Sequence, residues 1–241
     1  ITFKNLLEDF NDRFLSIDGA FPKTFLALFT QPEDVIGGYI NGVRKKYISA
    51  FGYFALSLSF AGIYVFVIKE YFIDDFFDEM AVPATQNQIQ MNLVKKITLG
   101  LTEYQALLSI LSIPIYALIS RLVFWNYKQF NYLEHMVIYL YAFSHINLTF
   151  YVLVILTMWS SSLYSMFSFL AMFAYIFYTC YVLKRLYRLN MFSLILKTSL
   201  FAVIGSVFLI ITSVISIAIM VKMGLFDELF ESIKQAEASK A

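Results

Sequence analysis

The sequence predicts an all-α fold: a polytopic membrane helix bundle of about five transmembrane helices, preceded by N-terminal amphipathic helices that lie at the interface. Five apolar stretches carry that expectation, at residues 47–68, 101–124, 135–157, 163–183 and 198–221. Each is close to or longer than the ~20 residues a helix needs to cross a bilayer core. Composition agrees, with 60% hydrophobic and 19% aromatic residues, 26 of them Phe and 17 Tyr. Mean hydropathy is +0.70. A soluble chain of this size lacks the polar structure needed to bury five such rods.

The third observation is how positive charge alternates between loops. One side carries Lys4, Arg13, Lys23, Arg44, Lys45, Lys46, Arg121, Lys128, Lys184, Arg185, Arg188 and Lys197. The other carries Lys69, Lys95, Lys96, Lys222, Lys234 and Lys240, which is 12 against 6. The richer side is expected to be cytoplasmic, with the N-terminus inside and the C-terminus outside. Trp125, Tyr127 and Tyr132 at one end, and Trp159 and Tyr164 at the other, stand where interfacial aromatics belong.

Taken in order, Ile1 to Asp18 reads as an amphipathic helix with Phe3, Leu6, Leu7, Phe10 and Phe14 at helical spacing. It lacks the basic start and short apolar core of a cleavable signal. The chain begins on Ile rather than Met, which leaves room for a preceding segment. Asp18 is the expected N-cap of a short helix carrying Phe21, Phe25, Leu28 and Phe29, with Pro22 in its first turn. Gln31-Pro32-Glu33-Asp34 restarts a helix with Val35, Ile36, Tyr39 and Ile40 on one side. Neither piece spans a membrane. Each either lies on the membrane surface or packs on the bundle, and the basic cluster that follows suits anionic headgroups.

The chain therefore divides into residues 1–46 (interfacial helices and basic cluster), 47–222 (five-helix membrane domain) and 223–241 (polar tail). A net charge of +1 argues against nucleic acid as a partner. The lone Cys180 excludes an internal disulfide and any multi-cysteine metal site within these residues, and reads as inert packing. The acidic run Asp74, Asp75, Asp78 and Glu79 lacks calcium-loop spacing and reads as an outer amphipathic turn.

The order of these pieces resembles an uncharacterised family, a domain of unknown function, of bacterial polytopic membrane proteins distantly similar to Yip-type trafficking proteins. The resemblance rests on Phe3-Lys4, Leu7 to Phe14, Phe21 to Thr24, the stretch Pro32 to Tyr47, Pro114, Arg121-Leu122, Tyr132 to His135 and His145. Ala50 stands where the family suggests a proline, and Val43 interrupts the basic cluster. That family often carries a zinc ribbon ahead of the membrane domain; none is present here, so no metal role is carried over. The resemblance implies a fold and the inner (cytoplasmic) membrane as location, and supplies no reaction.

Polar groups inside spans are the places to look for chemistry, because burying them is costly unless they are paired or useful. Glu134 and His145 share a face of the third span but lie about 16 Å apart along it, too far for acid–base partnership. His135 is offset from His145 by roughly 80° around the helix, so they form no ligand pair on it. His145 and Asn147 read either as a proton- or substrate-contacting pair, or as structural groups bonding to Ser or Thr on a neighbouring helix. Glu134 and His135 are expected to anchor the helix end against Arg121 or Lys128. Asn147-Leu-Thr149 spells a glycosylation sequon, but inside a span. Pro114 removes a backbone hydrogen bond in mid-span and predicts a kink. Gly52, Ala55, Ser59 and Gly62 on the first span, and Ala202, Ser206 and Ser213 on the fifth, form small-residue stripes that read as packing faces.

No phosphate loop, HExxH, GxSxG or CxxC occurs, no buried carboxylate set suits an ion-coupled pump, and no repeat suggests inverted halves. The expectation is a non-enzymatic protein without cofactor or metal, binding membrane lipids and other membrane proteins as a subunit or organiser. Arg44, Lys45 and Lys46, with Tyr39 and Tyr47 beside them, are the expected contact. The alternative is a small transporter or channel with a path near Pro114, His145 and Asn147. A lipid-modifying enzyme would need Glu134, His135 and Arg121 clustered at one face.

Overall fold

The computed structural model describes residues 19–72, 97–222 and 224. The expected helix at 1–18, Asp18 as the expected cap of the helix after it, the acidic run at 74–79 and nearly all of the tail lie outside the described residues, and the helix that Asp18 is expected to cap starts after Gly19.

The described chain is helical, with no strand among the described residues. Two short helices come first, α1 (Ala20–Thr30) and α2 (Pro32–Ile40), with Pro32 in the first turn of the second. Then come α3 (Ala50–Val67), which runs on into a π-helical turn at Ile68–Phe72, and α4 (Gln105–Val123), which continues through Pro114. The last three are α5 (Tyr132–Thr157), α6 (Ser161–Tyr187) and α7 (Met191–Lys222). The five helices α3 to α7 are long and apolar enough to cross a membrane.

Caps explain where several helices begin. Ser49 Oγ accepts from Gly52 N at the start of α3. Asn131 and Glu134 form a reciprocal capping box on α5, and Ser160 caps α6. At α7 the Asn190 side chain accepts from Ser193 N at 2.8 Å. That cap starts α7 at Met191, so Lys197 lies inside the helix and not in the loop where charge counting puts it. At ~1.5 Å per residue, 32 residues make a rod of ~48 Å. That exceeds a ~30 Å hydrocarbon core, so the helix outruns its apolar stretch.

Helix α5 is the hub. It packs against α3, α4 and α6, and 61% of its most apolar window is buried, whereas the corresponding window of α7 is 0% buried. The side of α3 turned inward carries Tyr53, Phe54, Ser57 and Ala61. Ala55, Ser59 and Gly62 face outward, and Gly52 is half-buried; Ala202, Ser206 and Ser213 of α7 are also exposed. The expected small-residue packing faces are therefore not the helix contacts within this chain. Aromatic rings fill the seams instead, at tilted and edge-on geometries such as Tyr53–Tyr141 and Phe143–Tyr175.

The pair α1–α2 packs on one end of the bundle. Leu28, Val35 and Ile36 are fully buried in the common core. The last carbonyls of α1 are bonded from α6: Tyr178 donates to Leu28 O, and Tyr181 donates to both Phe29 O and Thr30 O, each at 3.1 Å.

Candidate functional site

The basic cluster sits on the turn that leaves α2. Asn41 ends the helix, and Gly42 takes φ +91°, a left-handed value that favours glycine. Val43 N then bonds back to Gly38 O at 2.9 Å, which fixes the reversal. The segment after it is held at Ile48, whose N–H donates to Thr24 Oγ1 (3.0 Å) and whose carbonyl accepts from Tyr141 Oη (2.6 Å).

The five residues expected at this contact, Tyr39 at the end of α2 and Arg44, Lys45, Lys46 and Tyr47 after it, do different work. Lys46 Nζ and Tyr47 Oη both donate to Asp34 Oδ2, each at 2.6 Å. Those two bonds, Lys46's first, hold the Asp34 carboxyl below the ordinary carboxylate range, and the Asp34 bond raises the Lys46 ammonium. Burial, followed by the hydrogen bond to Asp34, pushes the Tyr47 phenol up. Arg44 lies 6.0 Å from the centroid of the Tyr39 ring, a cation–π distance. Arg44 and Lys45 are exposed, and neither makes an ion pair among the described residues. Beside the turn, Arg185 at the end of α6 grips both oxygens of Glu33, which lowers the Glu33 carboxyl.

In the long helices the Ser and Thr hydroxyls mostly bond back to carbonyls of their own helix, whereas the two histidines bond to tyrosines of neighbouring helices. His145 is fully buried, and its Nδ1 lies 2.9 Å from Tyr53 Oη on α3. The rings of Phe29, Phe25 and Tyr178 enclose it at centroid distances of 4.1, 4.9 and 5.0 Å. Its Nε2 is buried without a partner. The expected partners for His145 and Asn147, Ser or Thr on a neighbouring helix, are not used. Ser144 and Thr149 bond back to carbonyls of their own helix, and the half-buried Asn147 makes no hydrogen bond among the described residues.

His135 and Glu134 also depart from expectation. The Glu134 carboxylate accepts from Asn131 N at 2.7 Å and closes the box at the start of its own helix. No ion pair joins it to Arg121 or Lys128 among the described residues. His135 Nδ1 donates to Asn131 O at 2.8 Å, which leaves Nε2 to accept from Tyr187 Oη at 2.9 Å. The carbonyl fixes this tautomer, because only an N–H can face it. Arg121 is partly buried, with Nη1 unpartnered. Pro114 O accepts from Tyr132 Oη at 3.3 Å, while His145 faces α1, α3 and α6.

Residues 18–62 match the model of a family described as "Protein of unknown function (DUF3667)". The match covers α1, α2, the basic turn and the larger part of α3, including Asp34, Lys46, Tyr47 and Tyr53. No curated protein and no solved structure matches the chain. The two histidines lie beyond the DUF3667 segment, but the partner of His145, Tyr53, lies within it.

One residue absent from the sequence-based candidates stands out. Lys197 is 8% exposed, and its Nζ donates to Val123 O (2.6 Å) and Asn126 Oδ1 (2.7 Å). Its ammonium also lies 5.3 and 5.6 Å from the ring centroids of Tyr127 and Phe124. It thus closes the C-terminal end of α4 from another helix. The signal that could have found it is Asn190, an N-cap residue placed seven positions earlier.

Proposed function

We propose that this protein spans a bacterial inner membrane through α3–α7, with the α1–α2 end cytoplasmic, and serves as a non-enzymatic binding subunit or organiser there. The exposed turn at Arg44 and Lys45 carries this reading. Arg44 and Lys45 are exposed and make no ion pair among the described residues, and Arg44 lies beside the Tyr39 ring, while Lys46 is spent on Asp34 to hold the turn in shape. Charge and location suit anionic headgroups or an acidic partner surface, and each basic residue near an anionic bilayer contributes about 1 kcal/mol. The interior polar groups support the same reading. His135, His145 and Lys197 each bond to a tyrosine, amide or carbonyl of this chain, as structural ties would.

The test is the double variant Arg44→Glu, Lys45→Glu, purified in mild detergent from native membranes beside the parent chain. Co-purifying anionic lipid and stoichiometric protein partners are then measured by mass spectrometry. Losing two contacts of about 1 kcal/mol each predicts at least ~30-fold weaker capture, with the helix content unchanged. Unaltered capture in a correctly assembled variant overturns the reading.

A further inference from the structure

A cavity of about 140 Å³ lies between α4, α5, α6 and α7, with the stripe Ile176, Thr179, Cys180 and Leu183 as its α6 wall. Leu194 and Thr198 border it from α7. The lining is almost wholly apolar. Cys180 Sγ and Thr198 Oγ1 meet each other at 3.3 Å, and Lys197 spends its ammonium on Val123 O and Asn126 Oδ1. The cavity therefore offers an occupant no free charge. It opens sideways: Ile176 lines it and is 50% exposed on the outer surface, and α7 buries none of its most apolar window. With α6 and α7 spanning a bilayer, that opening faces lipid tails.

Its elbow end sets this slot apart from an ordinary lipid-facing crevice. The spacing Ile176, Cys180, Lys184 carries the α6 stripe one turn further, and Met191 stands three residues before Leu194 on α7. Lys184 Nζ lies 3.2 Å from Met191 Sδ, across the elbow that joins the two helices. The elbow turns on Arg188, which is exposed and held at φ 51°, the left-handed value at which helices ordinarily end on glycine. Among the described residues no carboxylate answers Lys184 or Arg188. At this end of the bundle Glu33 is taken by Arg185, Asp34 by Lys46 and Glu134 by its own helix cap.

We propose that the slot between α6 and α7 binds one anionic phospholipid, with its headgroup on Lys184 and Arg188 and part of one acyl chain in the cavity. The volume suits a chain segment. An apolar cavity of about 150 Å³ holds the six carbons of benzene, so about six chain carbons enter and the rest lie along the opening. Net negative charge decides the class, because a headgroup without it gains little from the two cations. The inference rests on the membrane-spanning reading but not on Arg44 and Lys45.

The experiment places the full chain in nanodiscs doped with phosphatidylglycerol carrying a diazirine on one acyl chain, or with phosphatidylcholine carrying the same chain. Irradiation labels the residues that the chain touches, and mass spectrometry locates them. Phosphatidylglycerol labels residues 175–183 and 194–201 at least about fivefold more than phosphatidylcholine, and unlabelled phosphatidylglycerol in excess displaces it. Arg188→Gly removes the cation and suits the backbone. Its thermal midpoint in neutral detergent stays level or rises, while labelling by phosphatidylglycerol falls about fivefold. Cys180→Phe fills the slot and removes labelling by both lipids, with helix content unchanged. The Arg44→Glu, Lys45→Glu variant leaves this labelling as it is, so failure of the surface contact and failure of this site are read separately. The proposal is overturned if the two lipids label these residues equally, or if the label spreads evenly over the lipid-facing sides of α3 and α7. It is equally overturned if Arg188→Gly labels as the parent does, or if these residues take no label, as a second copy seated on the slot would cause.

Discussion

A single carboxylate, Asp34, receives both the Lys46 ammonium and the Tyr47 hydroxyl, and the neighbouring Glu33 receives Arg185. Both carboxyls are held below their ordinary range by these bonds. A depressed carboxyl stabilises the fold fully above its unfolded value of about 4, and the contribution is lost as pH falls through the lower, folded value. Lys46 is raised, so its share is complete below about 10.4 and is lost only as pH climbs past the folded value. Both pairs are more than a third exposed, so salt screens them. Amide exchange of Val43 and Ile48, corrected for intrinsic rate, is therefore expected to be constant between pH 5 and 9, faster near pH 3, and faster in high salt. The histidines offer a sharper test at this scale. Nitrogen-15 shifts of His135 should show a protonated Nδ1 and an acceptor Nε2. Tyr187→Phe should alter the Nε2 shift and cost about 0.6–1.7 kcal/mol, the range of hydrogen bonds between membrane helices.

At the scale of the element, α4 depends on a residue it does not contain. Lys197 supplies the positive charge and two donors that the C-terminal end of α4 needs. Lys197→Met keeps the stem and removes the head, and is expected to lower stability by about 2 kcal/mol, measured by denaturant unfolding in detergent. Ser49→Ala should cost about 1 kcal/mol through the lost cap of α3. Helix number and rough placement were legible because length and hydrophobicity alone report them. Facing was not. A helix that meets lipid on one side and protein on the other is apolar all round, so its periodicity says little about which side packs. That is why the Gly62 stripe reads as an interface in the sequence and turns out exposed, and why Tyr53 goes unnoticed as the partner of His145. Pro114 lies inside α4, which continues on both sides of it.

Across the whole molecule, burial is graded from α5 at the centre to α7 at the rim. Truncation should follow that gradient. Ile138→Ala, at a site with 0% exposure, is expected to cost about 2–5 kcal/mol, whereas Ile210→Ala, 64% exposed, should change stability little in the same detergent. Equal losses at the two positions would mean that α7 is covered by something other than lipid or detergent. The basic turn was legible as a cluster but not as a structure, since only the folded chain shows Lys46 withdrawn onto Asp34 and Arg44 laid against the Tyr39 ring.

Phe25 and Phe29 of α1 close over His145, while Tyr178 and Tyr181 clasp the end of the same helix. An amphipathic segment of this kind could in principle trade the bundle for a bilayer surface. Here that exchange carries a built-in signal. Peeling α1 away would strip the two phenyl rings off the imidazole, so its reactivity toward a histidine-directed reagent becomes a gauge of where the first helix is resting.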